Sequence, residues 1–534
     1  MPTEVRGGYV CESGAEREED DVASPSLGVS GDRAEPGSTS FAGAVTTVLL
    51  VVSAAATTVL TLRAASPVPE TIVLVLVSVG GLGVVVATPR LRQAVSLGLV
   101  VGLGTVLLVV AVTVPPPPGS DLWVYALYGR TMVEHDQSPY VHPPSDFPED
   151  PWLDDIGLFR DSRTFYGPLF TGFNAAVAAV GQDSRLAVRL GYQIGAALAV
   201  AASLVLLSRA GANPPALAMV ALNPVIVVDV VGQGRMDAYL GLGLLGATLL
   251  AMRRRPHLAA LAVAAATLVK APAGVALVGL LVWVWHDEGW RRAATVAATG
   301  GTVVAAAYLV AGGPAALAPL LEVRDQTNTA TIWVLLRDHG WAVATGDDPA
   351  SLGPIGPLPV CASVAGALLA MLLVVARRTD RLPHLLLALP VLAYLLTSMY
   401  PTARYAAWIL PLLALTTRTR ATAVTVAVSW AIFAMVQQRA ALIHQRGEGM
   451  VLGPGVRPDD PGLLRVVPAA PVVLALVGIV VLAVEAGWPF RWPRRPRTSR
   501  RPAPHGQARR QRAAIGVSKS DSPGLRVDRP GLRL

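Results

Sequence analysis

Long apolar runs separated by short polar turns recur along the chain from Phe41 to Gly487. Each run is close to the roughly 20 residues that an α-helix needs to cross about 30 Å of hydrocarbon, so the pattern predicts about fourteen membrane-crossing helices. Their expected bounds are 41–62, 70–88, 95–115, 186–207, 214–231, 237–252, 258–269, 272–286, 293–311, 352–376, 383–398, 404–416, 421–437 and 469–487. We therefore expect an all-α, polytopic transmembrane helix bundle.

Polar tails flank this membrane domain of residues 41–487. Residues 1–40 are acidic and rich in Gly and Ser, without the basic segment and short apolar core of a signal peptide. They predict a disordered cytoplasmic tail. Residues 488–534 are rich in Arg and predict a second disordered tail, which is basic and also cytoplasmic.

Arginines at the polar turns predict the orientation of the helices. With the N-terminus inside, the predicted crossings put most of them on the inner side, as the positive-inside rule requires. These residues are Arg209, Arg253, Arg254, Arg255, Arg291, Arg292, Arg377, Arg378, Arg418 and Arg420. We expect a multi-pass plasma-membrane protein with outer loops near 116–185, 312–351 and 438–468. The apolar stretch 166–181 is too short for a crossing and predicts a re-entrant or interfacial helix.

Composition agrees with a membrane domain and excludes several other classes. Of 534 residues, 53% are hydrophobic and only 15% are charged. Cys11 and Cys361 are the only cysteines, too few for a disulfide framework or a zinc site built on cysteine. Much of the net charge of +8 lies in the C-terminal tail, which indicates contact with membrane lipids and no nucleic acid.

Asp121 is the first candidate for chemistry. It directly follows a predicted crossing and the run Pro115–Pro118, and it lies with Tyr125 and Tyr128 on one face of an amphipathic segment. A carboxylate at the membrane boundary is partly desolvated, which is expected to raise its pKa and make it a better general base. The alternative is a structural role for Asp121, or for Ser120, as the N-cap of the next helix.

Cations follow at several outer turns. The sharper interpretation is that they surround an anionic lipid headgroup. The candidates are Arg130, Arg163, Arg235, Lys270 and Arg404. The alternatives are a local ion pair between Arg235 and Asp237, and a Lys270 that extends to the membrane interface.

Two other groups of residues allow a functional and a structural interpretation. His135 and His142 lie in an acidic loop that leaves a divalent cation open, although solvated loop charge is the simpler interpretation and no tight ligand spacing is present. Trp333 and Trp341 in the second outer loop fit an interfacial aromatic belt or a surface that stacks on a sugar ring. The sequence therefore identifies no certain cofactor and leaves a divalent cation open.

The motifs together resemble a known family. They are Ser120-Asp121, Tyr128-Gly129, Pro139-Tyr140, Tyr166-Gly167-Pro168, Asn223-Pro224, Gly232-Gln233-Gly234-Arg235-Met236-Asp237, Leu268-Val269-Lys270, Tyr400-Pro401 and Arg404-Tyr405. This pattern, spread over residues 115–410, resembles the polytopic glycosyltransferases of the GT-C superfamily. It is most similar to the actinobacterial polyprenyl-phosphate-mannose-dependent alpha-mannosyltransferases.

The resemblance implies a reaction and a set of site residues. One sugar, with mannose favoured, passes from a polyprenyl-phosphate carrier to a glycan or glycolipid acceptor of the cell envelope on the outer face, with Asp121 as general base. The implied residues for donor phosphate and substrate are Tyr128, Arg130, Arg163, Tyr166, Arg235, Asp237, Lys270 and Arg404. Direct displacement by one base inverts the anomeric centre, so the expected product is alpha-linked if the carrier sugar is beta-linked.

Two features depart from the family pattern, and other functions remain open. Asp121 has no acidic neighbour, and Arg235-Met236 replaces the usual central pair of the turn at 232–237. A secondary transporter or lipid flippase is the main alternative. The long first loop, the lack of an internal repeat and the scarcity of charge deep in the helices argue against it. A scaffold with a degenerate active site is a third interpretation.

Overall fold

A computed structural model describes residues 36–62, 68–116, 119–156, 159–322, 383–397 and 402–415. These residues form helices and turns, and no β-strand occurs among them, which confirms the predicted all-helical class. Contacts within the chain divide it into Met1–Ala486 and Gly487–Leu534, and all of the described residues belong to the first unit.

The α-helices are numbered in chain order over the described residues. They are α1 (Pro36–Leu62), α2 (Val68–Ala87), α3 (Pro89–Gln93), α4 (Leu97–Thr113), α5 (Asp121–Val133), α6 (Pro168–Gly181), α7 (Arg185–Arg209), α8 (Pro214–Ala221), α9 (Asp237–Met252), α10 (Pro256–Val269), α11 (Val275–Glu288), α12 (Trp290–Val310), α13 (Pro314–Glu322), α14 (Pro383–Thr397) and α15 (Ala406–Ala414). A π-helix spans Val225–Val231, and short 3₁₀ turns span Pro144–Asp146, Leu153–Asp155, Ala271–Gly274 and Ala403–Tyr405.

Polar residues and prolines set where several of these helices begin. The side chains of Ser96, Ser184 and Asn213 accept hydrogen bonds from the backbone N–H three residues later, at 3.1, 3.2 and 3.0 Å. A proline is the first residue of α6, α8 and α10. Such caps satisfy donors that have no partner inside the helix, and proline is pre-organised for the first helical position.

The described helices agree closely with the predicted crossings, but their lengths do not establish fourteen of them. Three are long and apolar enough to span a membrane, Phe41–Leu62, Arg185–Arg209 and Trp290–Val310, and these apolar helices fit a membrane protein. A fourth span results if the bent pair Pro214–Ala221 and Val225–Val231 is counted as one. Several predicted elements lie outside the described residues: residues 1–35 of the N-terminal tail, the C-terminal tail, the crossings 352–376, 421–437 and 469–487, the outer loop 438–468, and Trp333 and Trp341. Residues 36–40, which were expected in the disordered tail, form the start of α1.

Two local features differ from the expected helices. The segment predicted as one crossing over 214–231 is bent by 40° where α8 meets the π-helix, with the side chain of Asn223 accepting a hydrogen bond from Val225 N–H at 3.0 Å. The loop expected at 312–351 begins with α13, because proline after Gly313 starts a further helix. Single-turn π segments occur often at functional sites, so the wide turn is of interest for the site described next.

The helix α5 is packed inside the protein and is not an amphipathic surface helix. Tyr125 and Tyr128 are fully buried, as are most residues from Leu122 to Thr131. The helix packs mainly against α6, with the ring of Tyr125 edge-on to Phe170 at 5.0 Å. The segment is not amphipathic as expected, because α5 is buried on most sides and its tyrosines lie in an aromatic core. Asp121 therefore begins a helix that is fixed on several sides.

Candidate functional site

Asp121 is the first residue of α5 and its carboxylate does not act as the helix cap. Ser120 occupies the N-cap position, with extended backbone angles and no hydrogen bond from its side chain to the helix. The carboxylate of Asp121 forms ion pairs instead, with the guanidinium groups of Arg235 and Arg404. The contact to Arg404 measures 3.1 Å from Nη2 to Oδ2, and the same Oδ2 contacts Arg235 Nη1.

Arg235 reaches Asp121 from the tight turn that joins the π-helix to α9. The backbone of this turn passes through Gly234, whose φ is +60°, in the left-handed region that favours glycine. An added Cβ at Gly234 would lie 2.7 Å from Cβ of Tyr192 and 2.9 Å from Cδ1 of Leu122. The turn is therefore pressed against α7 and against the first turn of α5, which brings Arg235 to Asp121.

A methyl group at Gly234 should disturb this turn. We expect Gly234→Ala to lower the free energy of unfolding by about 1–3 kcal/mol, because strained backbone and close contact both oppose it. The matched control is Gly246→Ala in α9, where an added Cβ meets nothing within 4 Å. Thermal denaturation of both variants in detergent measures the effect. Equal melting temperatures for the two variants would show that the turn tolerates a side chain.

Six charged side chains form what we call the charged cluster: Asp121, Asp229, Arg235, Asp237, Lys270 and Arg404. Arg235 Nη2 lies 3.9 Å from Asp229 Oδ1, and it donates a hydrogen bond to the Gln233 side chain at 2.5 Å. Gln233 in turn donates to Asp229 at 2.9 Å. Asp229 belongs to the π-helix, so the wide helical turn supplies a member of the cluster.

Asp237 is completely buried at the start of α9 and contacts residues from the far end of the chain. Its Oδ1 accepts a hydrogen bond of 2.7 Å from Trp408 Nε1, and its Oδ2 lies 3.9 Å from Arg404 Nε. Arg235 and Asp237 therefore have different partners, and the local ion pair considered for them is not formed. The residues of 402–415 complete the cluster together with the first part of the chain.

Lys270 is buried and does not extend to the membrane interface. Its Nζ donates a hydrogen bond of 3.0 Å to the Tyr405 hydroxyl, and it lies 4.4 and 5.5 Å from the ring centroids of Tyr405 and Trp408. The interfacial interpretation was wrong because α10 ends at Val269, and the next residues turn inward to these aromatic rings. Contact with aromatic faces partly compensates the lost hydration of a buried cation.

Two of the sequence motifs meet beside Lys270. The backbone N–H of Gly167 donates to the carbonyl of Val269 at 3.0 Å, and a Cβ at Gly167 would lie 2.2 Å from the Leu268 carbonyl oxygen. The Tyr166-Gly167-Pro168 segment therefore packs directly against the end of α10. This close approach fixes the position of Lys270 relative to the start of α6.

Tyr128 and Tyr166 lie in the aromatic packing beneath Asp121. Tyr166 is buried, with its ring 5.2 Å from Tyr125 and 6.3 Å from Tyr128. The hydroxyl of Tyr128 donates to the carbonyl of Ser162 at 2.9 Å. Both tyrosines thus support the helix that carries Asp121.

Arg130 and Arg163 have carboxylate partners elsewhere. Arg130 Nε bonds to both oxygens of buried Asp150, at 3.0 and 3.2 Å, and its guanidinium also covers the ring of Trp152 at 4.8 Å. Arg163 pairs with Glu322 at the end of α13. The structure brings Arg235, Lys270 and Arg404 together with Asp121, but it places these two arginines in separate ion pairs.

The histidines in the segment between α5 and α6 each pair with one aspartate. His135 Nε2 lies 3.1 Å from Asp150, which also binds Arg130, and His142 Nδ1 lies 2.9 Å from Asp146. Among the described residues, no group of three or more His, Cys, Asp or Glu side chains is arranged to hold a metal ion.

The environment of Asp121 changes its acidity in the opposite direction from that expected. Burial raises the pKa of this carboxyl, but the positive charges of Arg235, Arg404 and Lys270 outweigh burial and hold the pKa below its usual value. The expected rise considered desolvation alone, since the arginine partners are distant in sequence. Asp121 is therefore held in its charged form.

Four residues at the site were not identified as functional candidates from the sequence. Asp229 is a lone carboxylate inside the apolar run 225–231, a signal that marks functional positions in membrane segments. Tyr405 and Trp408 directly follow Arg404, which was a candidate. Gln193, in α7, donates to the carbonyls of Ala111, Val114 and Gly232 at 3.2, 2.9 and 2.6 Å, and so joins the end of α4 to the turn of Arg235. Gln193 is likewise a polar residue within an apolar helix, so the sequence marked it in the same way as Asp229.

The fold and the site define a helical membrane-type protein with a buried, partly open group of cations beside a carboxylate. Such a group is suited to an anionic phosphate and to a proton acceptor at the same place. The side chains of Asp121, Arg235 and Arg404 are 14%, 7% and 16% exposed, so the cluster is not completely closed to solvent.

Comparison with known proteins finds a family model that matches part of the chain. Residues 37–287 match the MptA_B family, described as "Alpha-(1->6)-mannopyranosyltransferase, N-terminal domain". This match covers just under half of the chain and supports both the resemblance to GT-C mannosyltransferases and a mannosyltransferase activity. No curated protein and no solved structure matches the chain. Asp121, Arg235, Asp237 and Lys270 lie within the matched residues, whereas Arg404 lies beyond them.

Proposed function

We propose that the protein transfers mannose from a polyprenyl-phosphate carrier to a glycan or glycolipid acceptor of the cell envelope, on the outer face of the membrane. The observation that carries the proposal is the contact of Asp121 with Arg235 and Arg404, with Lys270 nearby in the same charged cluster. A family domain for mannosyl transfer on residues 37–287 supports the choice of sugar.

The cations of the cluster suit the leaving group. A lipid phosphate departs more easily when positive charge neutralises the oxygens that gain electrons as the bond to the sugar breaks. Arg235 and Arg404 offer planar guanidinium groups, and Lys270 offers an ammonium held by Tyr405. These groups supply the required charge from the chain itself.

Asp121 is the proposed general base. It accepts the proton of the acceptor hydroxyl while the acceptor oxygen forms a bond to the anomeric carbon and the carrier phosphate leaves from the opposite side. One displacement inverts the configuration, so a beta-linked carrier mannose gives an alpha-linked product. The buried tyrosines below α5 hold Asp121 in a fixed position, as such a step requires.

Reconstitution tests this proposal. Proteoliposomes containing the full chain should transfer radiolabelled mannose from a short-chain polyprenyl-phosphate mannose to an alpha-mannoside acceptor, and linkage analysis should find an alpha bond. Nucleotide-linked mannose should not replace the lipid donor, because the proposed site provides for one lipid-borne phosphate. Transfer from the nucleotide sugar alone would contradict the proposed donor, and a beta-linked product would contradict the proposed stereochemistry.

A further inference from the structure

Asp121 is not free to accept a proton while it is paired with both arginines. The two guanidinium groups contact the same oxygen, Oδ2, with Arg404 Nη2 at 3.1 Å and Arg235 Nη1 closer. A carboxylate held by two cations is a poor base, because its protonation would leave the cations without that counter-charge.

Each of the two arginines has a second carboxylate within reach. Arg235 Nη2 lies 3.9 Å from Asp229 Oδ1, and Arg404 Nε lies 3.9 Å from Asp237 Oδ2. An arginine without a nearby negative charge would be costly in so buried a site. Because of these second carboxylates, both arginines keep a negative charge nearby when the contact to Asp121 is lost. The contacts of Asp121 are the ones that can be exchanged.

The charges of the cluster balance before a donor binds. Asp121, Asp229 and Asp237 face Arg235, Lys270 and Arg404. The phosphate of a polyprenyl-phosphate sugar adds one negative charge, so one carboxylate becomes more easily protonated. Asp229 keeps a hydrogen bond from Gln233 and Asp237 keeps one from Trp408, and neither donor is a cation that a phosphate would attract. Asp121 loses both of its guanidinium partners.

We propose that the donor phosphate replaces Asp121 as the partner of Arg235 and Arg404, so that Asp121 becomes a base only after the donor has bound. This inference rests on the proposed function and adds an order of binding to it. The donor binds first, the arginines turn to its phosphate, and the acceptor hydroxyl then meets an unpaired carboxylate. Tyr125, one turn along α5, faces the same carboxylate and remains beside it.

The reaction balances in atoms and charge. The acceptor O–H proton passes to Asp121, the acceptor oxygen bonds to the anomeric carbon, and the bond from that carbon to the phosphate oxygen breaks. The phosphate takes the bonding electrons and leaves as a monoester with one more negative charge, held by Arg235, Arg404 and Lys270. One negative charge moves from Asp121 to the phosphate, which stays next to the cations.

Chemical labelling of Asp121 tests the exchange without using catalysis. A hydrophobic carbodiimide modifies protonated carboxyl groups, and mass spectrometry of the full-length protein in detergent locates the label. The probe is a short-chain mannosyl phosphonate in which a methylene replaces the bridging oxygen, so that it has the donor's charge but transfers no sugar. Labelling of Asp121 should rise about tenfold on binding if its pKa rises by about one unit. The variant Asp121→Asn confirms the assignment of the label.

Retention of radiolabelled probe, measured in the same samples, separates the possible results. Bound probe without a rise at Asp121, or with a rise at Asp229 or Asp237 instead, overturns the exchange and leaves the proposed function standing. Failure of the probe to bind overturns both.

A second arm removes one cation. In Arg404→Gln, labelling of Asp121 should already be raised without the probe, and the probe should raise it less than in the wild type. The matched control is Arg160→Gln in the segment between α5 and α6, a partly exposed arginine that pairs with Asp154. Unchanged basal labelling in Arg404→Gln contradicts the proposal. The wild-type comparison stands independently if this variant does not fold.

Discussion

We expect Asp121→Asn to lower the turnover number for mannosyl transfer by about 10²–10⁴-fold, the usual contribution of a positioned general base. The asparagine keeps the shape of the side chain but does not accept the proton. It also removes a negative charge that competes with the donor phosphate for Arg235 and Arg404, so the KM for the donor should fall or stay unchanged. Initial rates at varied donor concentration in proteoliposomes separate the two parameters.

The control for this prediction is Asp154→Asn. Asp154 lies in the segment between α5 and α6, is 98% exposed and pairs with Arg160, so its loss should leave both parameters unchanged. If Asp121→Asn retained the wild-type turnover number, Asp121 would not be the base, whatever its position among the cations.

Replacement of Arg404 is expected to have the next largest effect. Arg404→Gln should lower kcat/KM for the donor by about 10²–10³-fold, comparable to removal of one preorganised donor to a developing negative charge. The arginine contacts Asp121 and lies close to Asp237, so it holds the cluster together in addition to its proposed role at the phosphate. Steady-state kinetics with the lipid donor measure the loss.

Two further variants define what Arg404 contributes. Arg404→Lys keeps the charge and should recover part of the activity, although a lysine cannot make the planar two-point contact of a guanidinium. Arg160→Gln should behave as the wild type. A loss confined to thermal stability, with normal kcat/KM in the folded fraction, would assign Arg404 to structure alone.

The sequence was most informative where charge interrupts apolar segments. Asp121, Arg235, Lys270 and Arg404 were each recognised because they lie at turns between predicted crossings, and the structure brings all four together. The physical reason is the cost of charge in hydrocarbon, which restricts such residues to buried pairs, cavities and membrane surfaces. Charged residues at turns on the same side of a bundle are therefore expected to lie close together.

Sequence patterns could not predict which partner each charge would choose. Arg130 and Arg163 follow the same pattern as Arg235, but Asp150 and Glu322 neutralise them through tertiary contacts. The low pKa of Asp121 depends in the same way on Arg404, which is far from it along the chain. Distances of this kind arise from helix packing and leave no local signal.

Hydropathy also failed to predict how the apolar run 214–231 is wound. The run 214–231 is apolar enough for a straight crossing, yet Asn223-Pro224 divides it and the second part winds as a π-helix. The run gave no sign of this change in winding, although Asp229 within it indicated a polar contact. The contact of Trp408 with Asp237 could not be predicted either, because a tryptophan in an apolar helix is also typical of a lipid-facing position.

The charged cluster joins residues that are synthesised at very different times. Asp237 accepts a hydrogen bond from Trp408, and Asp121 pairs with Arg404, so α5 and α9 are synthesised long before these partners. Until then a nascent chain has carboxylates in an apolar setting without all of their cations, a condition that favours retention by the insertion machinery. The proposed sugar transfer therefore requires the chain beyond residue 402, and we expect a protein truncated before that residue to be inactive and prone to degradation.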